Sequence, residues 1–251
     1  MADLRVTRTR PATVSAGSRG GRPAPETVAR VMRTLARAMS AFGLPAVEKI
    51  AAARAEDPFE VLIATLLSAR TQDATTYAAS RRLFSVARTP RAMARLRVAE
   101  IERLIYPVSF YRHKARYVRA TCVRLMEQFG GRVPGTLQDL ISLPGVGRKT
   151  ANLVLILAFQ SRTQICVDTH VHRIANRLGW VRTVAPEDTE QALYRAIPRR
   201  WWPSINLYLV TWGQNVCRPV YPRCPACALS PWCPRVGVGA VGRSPAPPAG
   251  R

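Results

Sequence analysis

Acidic residues are scarce in this sequence of 251 residues. It has 15 aspartates and glutamates against 38 arginines and lysines, which gives a formal net charge of +23. Most of this excess lies between the chain ends, where a folded surface can present it to polyanions. Nucleic acid is therefore the first partner to consider. A GC-rich genome, which raises arginine use, would give the same balance, as would a ribosomal or merely basic protein.

Long hydrophobic runs are also missing. No stretch reaches the roughly 20 apolar residues that cross a bilayer, and the N-terminus lacks the apolar centre of a secretory signal. We therefore expect a cytoplasmic, intracellular protein without a membrane partner, whose cysteines stay reduced. The segments 1–26 and 235–251 have few large apolar residues and are predicted to be disordered tails.

The sequence shows no sustained alternation of apolar and polar residues, so it predicts no β-sheet. Helical spacing predominates instead. The strongest case starts at Asp57, with an N-cap, proline at the first helical position and apolar residues at helical intervals. Further helices are predicted near 27–42, 73–85, 98–105, 112–129, 136–142, 148–159, 187–197 and 204–214, with one more starting at Asp168. The fold class is therefore all-α.

A short break separates two of these helices in the segment LPGVGRKTAN, residues 143–152. Gly145 and Gly147 allow backbone conformations that other residues rarely adopt, so that amides of the turn and of the next helix point outward together. Such an arrangement binds phosphate without reading sequence. An ordinary turn between helices remains the alternative.

Lysine is nearly absent, since the chain has 35 arginines but only Lys49, Lys114 and Lys149. Where a positive charge suffices, arginine is evidently accepted. A guanidinium is a poor nucleophile, whereas a partly desolvated amine can lose its proton and attack carbon. This favours a chemical role for Lys149, although a lysine that contacts phosphate is the alternative.

Four of the six cysteines are clustered near the C-terminus. Cys217, Cys224, Cys227 and Cys233 have six, two and five residues between them, which favours metal ligation and leaves zinc and an iron-sulfur cluster both open. The other two, Cys122 and Cys166, stand in apolar surroundings and are predicted to be core residues.

From about residue 30 to residue 233, the chain resembles the endonuclease III family of helix-hairpin-helix DNA glycosylases and AP lyases. The resemblance is carried by DPFEVLIATLLSARTQD, FYRHKA, LPGVGRKTAN, VDTHV and the cysteine cluster. It implies two helical domains that flank a DNA-binding groove. A six-helix barrel-like domain, 51–161, would contain the helix-hairpin-helix, and 27–50 with 162–234 would form the iron-sulfur cluster domain.

The resemblance also implies a bifunctional enzyme of base excision repair that removes damaged, oxidised pyrimidines from double-stranded DNA. Lys149 would attack C1′, expel the base and form a Schiff base, after which β-elimination cuts the strand. Asp168 would supply the carboxylate beside it, although an aspartate there is also a common helix N-cap. His170 and Asp73 would lie at the pocket. The alternatives are packing behind the pocket for His170, and a cap or first-turn position of a helix for Asp73. The protein would act as a monomer at the nucleoid.

DNA contacts follow from the same resemblance. Arg70 and Phe110 would enter the base stack when a nucleotide is extruded, and the cysteines would hold a four-iron four-sulfur cluster. Phosphate contacts would come from the hairpin and the cysteine loop, namely Gly145, Val146, Gly147, Arg148, Thr150, Arg218 and Arg223. For the two loop arginines, a solvated basic loop is the alternative.

Two other functions remain open. A monofunctional glycosylase would use water as the nucleophile, but relatives of that class lack the hairpin lysine. A catalytically silent DNA-binding or redox-sensing module would bind DNA without turnover.

Overall fold

The computed structural model describes residues 22–53, 57–239 and 241–242, which contain twelve α-helices and no strand. The all-α prediction is confirmed. None of the helices in these ranges is long and apolar enough to span a bilayer. The helices are α1 Pro25–Ala38, α2 Ala46–Ala53, α3 Pro58–Ser68, α4 Asp73–Val86, α5 Pro90–Arg95, α6 Val98–Ile105, α7 Tyr111–Gln128, α8 Leu137–Ser142, α9 Arg148–Ala158, α10 Thr169–Arg177, α11 Pro186–Ala196 and α12 Trp202–Asn215.

Side-chain caps fix where several helices begin. Asp57 accepts hydrogen bonds from the amides of Phe59 and Glu60, both at 2.9 Å, and Thr136 caps α8 in the same way. Each cap satisfies amides that have no acceptor within the helix. The helices α2 and α5 were not predicted, because α2 is rich in alanine and α5 spans only six residues, which leaves little periodicity to read.

The buried apolar residues form two clusters. The first combines side chains of α2 to α9, and the second combines α1 with α10, α11 and α12. The N-terminal helix thus returns to the C-terminal part of the chain, while α2 packs with the first cluster through Val47 and Ile50. The segment 51–161 holds seven complete helices, α3 to α9. The domain boundaries near residues 50 and 161 stay a prediction.

The predicted tails lie largely outside the described residues. Within them, α1 already begins at Pro25. The described part of 235–251 is not detached, since the Val236 amide donates to Arg177 O at 3.2 Å and the Gly242 amide donates to Pro222 O at 2.9 Å. Backbone hydrogen bonds therefore hold this segment at least to residue 242, later than the predicted tail boundary.

The strand-like segment 165–167 runs between the two clusters and fixes the residue that follows it. Asn152 of α9 donates to Ile165 O and Asn206 of α12 donates to Cys166 O, both at 3.1 Å, and the Ile165 amide donates to Tyr194 Oη at 3.1 Å. Hydrogen bonds from both clusters thus hold the backbone just before Asp168, beside the first turn of α9.

Candidate active site and DNA interface

The N-termini of four helices meet where the two clusters join. Lys149 is the second residue of α9, Asp168 caps α10, Asp73 begins α4 and Glu48 lies in the first turn of α2. Glu48 interacts electrostatically with each of the other three, so all of them lie within electrostatic range of its carboxylate. Helix N-termini favour negative charge, which suits three carboxylates gathered around one amine.

Asp168 uses one carboxylate oxygen as a helix cap and leaves the other available. Its Oδ1 accepts from the amides of His170 and Val171, both at 2.9 Å. Its Oδ2 has no hydrogen-bond partner among the described residues, and the side chain is half-buried. The cap and the catalytic interpretation are therefore compatible, because the cap fixes the direction of the free oxygen.

Lys149 is half-buried and its amine makes no hydrogen bond or ion pair within the described ranges. Its neighbour Arg148 is engaged. The Arg148 guanidinium forms a bidentate ion pair with Glu190, with Nε at 3.0 Å from both carboxylate oxygens and Nη2 at 2.9 Å from one. Because Glu190 is buried on α11, this pair ties the start of α9 to the second cluster and leaves Arg148 less free for the predicted phosphate contact.

Glu48 is a site residue that the sequence analysis missed. It is 8% exposed, and burial raises the pKa of its carboxyl, against the lowering effects of its own backbone amide and of Lys149. No motif marks this residue, and its helix was not predicted. Only its arrival beside Lys149 from a position 101 residues earlier in the chain distinguishes it from any other glutamate.

The Asp73 carboxylate binds residues from two other helices. Its Oδ2 accepts from the Ala46 amide at 3.3 Å and from Gln214 Nε2 at 3.2 Å. It therefore lies in the first turn of α4, and its carboxylate connects this helix to α2 and α12. Its role at the pocket stays a prediction. Gln214 was not predicted, because nothing in the sequence links α12 to α4.

His170 packs against the backbone of α12 at Gly213. A Cβ atom on Gly213 would lie 2.4 Å from His170 Nδ1, so only glycine leaves room for the ring. Arg173 Nη2 lies 3.1 Å from the same nitrogen and also donates to Cys217 O at 2.9 Å. Burial lowers the pKa of His170, although Asp168 opposes this shift. This packing against Gly213 and Arg173 fits the alternative in which His170 supports the pocket without taking part in the reaction.

The hairpin between α8 and α9 is shaped by a close approach to α7. Gly145 has a φ of +76°, and a Cβ there would lie 2.7 Å from the Tyr117 ring. Thr121 of α7 also donates to Pro144 O at 2.8 Å. Glycine is thus required at position 145 both for its backbone conformation and for space.

The other hairpin residues differ in their exposure and in their hydrogen bonds. Val146 is 5% exposed and its amide donates to Leu143 O, so its side chain and amide are already engaged within the protein, and its predicted DNA contact stays a prediction. Thr150 has a buried side chain. Gly147 caps α9 in open space. The amides that begin α9 lack acceptors within the helix and remain candidates for phosphate binding.

Arg70 and Phe110 are exposed and occupy adjacent turns. Both have left-handed backbone conformations, with φ of +55° and +58°. The two turns touch, because the Ser109 amide donates to Thr71 Oγ1 at 3.3 Å. Side chains presented in this way suit insertion into a base stack.

Two of the four clustered cysteines, Cys217 and Cys233, contact the last residue of α10. Arg177 Nη1 donates to Cys217 Sγ at 3.4 Å, and Cys233 Sγ donates to Arg177 O at 3.4 Å. Burial, followed by smaller effects of neighbouring thiols, raises the pKa of Cys227 and Cys233. Across the described ranges, no three His, Cys, Asp or Glu side chains converge closely enough to hold one metal ion. Arg218 is exposed and Arg223 is half-exposed.

The two remaining cysteines are core residues, as predicted. Cys122 and Cys166 are both fully buried. Burial raises the pKa of each thiol to about 12, so both stay protonated.

Comparison with known proteins gives a consistent result. Residues 63–199 match the HhH-GPD superfamily base excision DNA repair protein family. The chain is 48% identical to Endonuclease III of Thermotoga maritima over 177 residues, which is 70% of this chain and 83% of that protein. It is 44% identical, over 71% of its length, to Endonuclease III homolog 1, chloroplastic, of Arabidopsis thaliana, of which it spans 49%. A solved endonuclease III trapped as a covalent intermediate with DNA has a TM-score of 0.74 and 32% identity, covering 85% of this chain and 97% of that one.

Proposed function

Because this chain belongs to the endonuclease III family of the HhH-GPD superfamily, we propose that Lys149 and Asp168 carry out its chemistry. The protein is a DNA glycosylase and AP lyase of base excision repair. One observation carries this assignment. The Lys149 amine has no hydrogen-bond partner among the described residues, and the nearby Asp168 carboxylate keeps one oxygen free. Three groups, Glu48, Cys166 and His170, each interact with the charges of both Lys149 and Asp168.

The reaction follows from these two groups. The neutral Lys149 amine attacks C1′ of the damaged nucleotide, so that an N–C1′ bond forms while the bond from C1′ to the base breaks. The free Asp168 oxygen accepts the amine proton or stabilises positive charge on the sugar. The C1′–O4′ bond of the sugar then breaks and O4′ takes up the proton that the amine gave to Asp168, which leaves a C1′=N Schiff base. This Schiff base makes the C2′ proton acidic, and removal of that proton expels the 3′ phosphate by β-elimination.

DNA binding is distributed around this centre. The amides of Gly147 and of the first turn of α9 would bind phosphate, while Arg70 and Phe110 would fill the space left by the extruded nucleotide. Arg218 and the half-exposed Arg223 would contact the backbone. All of these residues belong to one chain, which supports action as a monomer. We propose oxidised pyrimidines in double-stranded DNA inside the cell as the substrate.

The cysteine loop fits a four-iron four-sulfur cluster held by Cys217, Cys224, Cys227 and Cys233. The donor set consists of four thiols within electrostatic range of one another. An arginine that donates to one of these sulfurs suits a group that carries charge on its sulfurs. When bound, such a cluster would fix the loop that carries Arg218 and Arg223. It would also fix α10, whose N-cap is Asp168.

Strand cleavage on defined lesions tests the proposed function. The full chain is incubated with duplexes that contain thymine glycol, an abasic site or no lesion, and the products are separated with and without later alkali. We expect nicking at both lesions without alkali. Cleavage of thymine glycol only after alkali would indicate the monofunctional alternative, and affinity without any cleavage would indicate a silent binding module.

The buried Glu48 gives a prediction about stability. Since burial raises its pKa above the usual value, the folded protein binds this proton more tightly than the unfolded chain, and stability is lost as pH rises through that range. We expect Glu48→Gln to raise the thermal midpoint by about 3 °C at pH 8 and to have little effect at about pH 4, where both states are protonated. Thermal unfolding of wild type and Glu48→Gln at these pH values measures the difference between their midpoints.

The matched control is Glu187→Gln, which alters an exposed glutamate in the first turn of α11. It should leave the pH dependence of unfolding unchanged. Parallel curves for wild type and Glu48→Gln at every pH would contradict a destabilising buried charge.

A further inference from the structure

A second lysine is buried beneath the turn that follows α3. Lys114, near the start of α7, is 6% exposed. Its Nζ donates to Leu67 O at 2.7 Å, to Ala69 O at 2.6 Å and to Thr71 Oγ1 at 3.1 Å. All three protons of the ammonium are thus used. The two carbonyls lie at the C-terminal end of α3, where helix carbonyls lack partners and favour positive charge.

The Thr71 hydroxyl extends this contact to a second turn. It accepts from the Ser109 amide at 3.3 Å as well as from Lys114, so it connects the turn of Arg70 to the turn of Phe110. Both turns place a non-glycine residue in a left-handed conformation, which the surrounding contacts must stabilise. One ammonium therefore lies beneath both of the exposed side chains that were assigned to the base stack.

We propose that Lys114 is a positioning residue that holds these two turns together, so that Arg70 and Phe110 enter the DNA stack as one wedge. The inference rests on the proposed function, because a wedge matters only to an enzyme that opens a duplex. Arginine would not serve, since its planar fork spreads its donors, whereas a tetrahedral ammonium reaches three oxygens around one point. This explains a lysine here in a chain with 35 arginines.

The test compares an abasic site in a duplex with the same site in a single strand, which needs no wedge. Lys114→Met keeps an unbranched apolar stem and removes the ammonium. We expect its cleavage rate to fall about 10- to 100-fold on the duplex and to stay within about twofold on the single strand. Lys49→Met, which alters an exposed lysine, is the matched control and should change neither rate.

The ratio of the cleavage rate on the duplex to that on the single strand is also expected to depend on pH. Burial lowers the pKa of Lys114 to about 8, and the groups that face the ammonium from α3 and the next turn are carbonyl and hydroxyl oxygens, which do not titrate. A neutral amine has two protons for three acceptors. We expect the wild-type ratio to fall between about pH 7 and pH 9 and to stay flat in Lys114→Met.

Three results would overturn this proposal. Equal losses on both substrates would show that Lys114 is merely structural, and a flat wild-type ratio would show that its charge is not required. Failure of the wild type to cut either substrate would overturn the proposed function, and the wedge with it.

Discussion

Replacing Lys149 by arginine is expected to abolish the covalent chemistry while leaving DNA binding nearly unchanged. A guanidinium preserves the charge at the start of α9 but is a poor nucleophile. Borohydride, which reduces a Schiff base to a stable bond, should therefore trap wild-type enzyme on abasic DNA and should trap no Lys149→Arg. Strand cleavage should fall by at least about 10³-fold, the scale typical of a lost nucleophile.

Two variants make this result specific. Lys149→Ala should also give no trapped adduct and should bind DNA somewhat more weakly, because a positive charge is lost. Lys49→Arg should give an adduct at the wild-type rate. A trapped adduct from Lys149→Arg would show that the nucleophile is another amine, and that Lys149 contacts phosphate only.

Asp168→Asn is expected to give the second largest loss, with little change in stability. Asparagine is as good an N-cap as aspartate, so the hydrogen bonds to the His170 and Val171 amides should survive. The free Oδ2, however, would become an uncharged amide or carbonyl group that cannot take a proton from Lys149. Single-turnover base release should fall by about 10²- to 10⁴-fold, the range for a positioned acid or base.

The chain offers a matched control for this variant. Asp57 caps α3 with the same two hydrogen bonds, each at 2.9 Å, as those that Asp168 makes to α10. Asp57→Asn should leave both base release and the thermal midpoint unchanged, whereas Asp57→Ala should lower stability by about 1 kcal/mol without affecting chemistry. If Asp168→Asn released bases at the wild-type rate, its carboxylate would serve only as a cap.

Much of the fold could be predicted from the sequence, because the features that set the helix starts and the hairpin lie within short segments. The start of α3 is set by a cap, a proline and apolar spacing within one segment, and the structure agrees to the residue. The hairpin with Gly145 and the cap at Asp168 are equally compact signals. The short helix α5 and the alanine-rich α2 gave too weak a pattern, since their burial depends on neighbours that come later in the chain.

The candidate site could be predicted only in part, because many of its contacts join residues that are far apart in the sequence. Lysine scarcity singled out Lys149, yet it singled out Lys114 as well, and only the three oxygens around the Lys114 ammonium show why that lysine is retained. The partner of Arg148 is Glu190, 42 residues away on α11. No residue near Arg148 in the sequence therefore argues against its predicted role as a free phosphate ligand.

The sequence by itself thus determined the helical class and the family, and it pointed to the two residues proposed for the chemistry, because each of these features is encoded in short runs of neighbouring residues. Tertiary structure decided what surrounds them. Glu48, Gln214 and Glu190 reach the site from separate helices, and their influence depends on burial and distance, which arise only when the two hydrophobic clusters pack together. Contacts of that kind leave no periodicity or spacing in the chain.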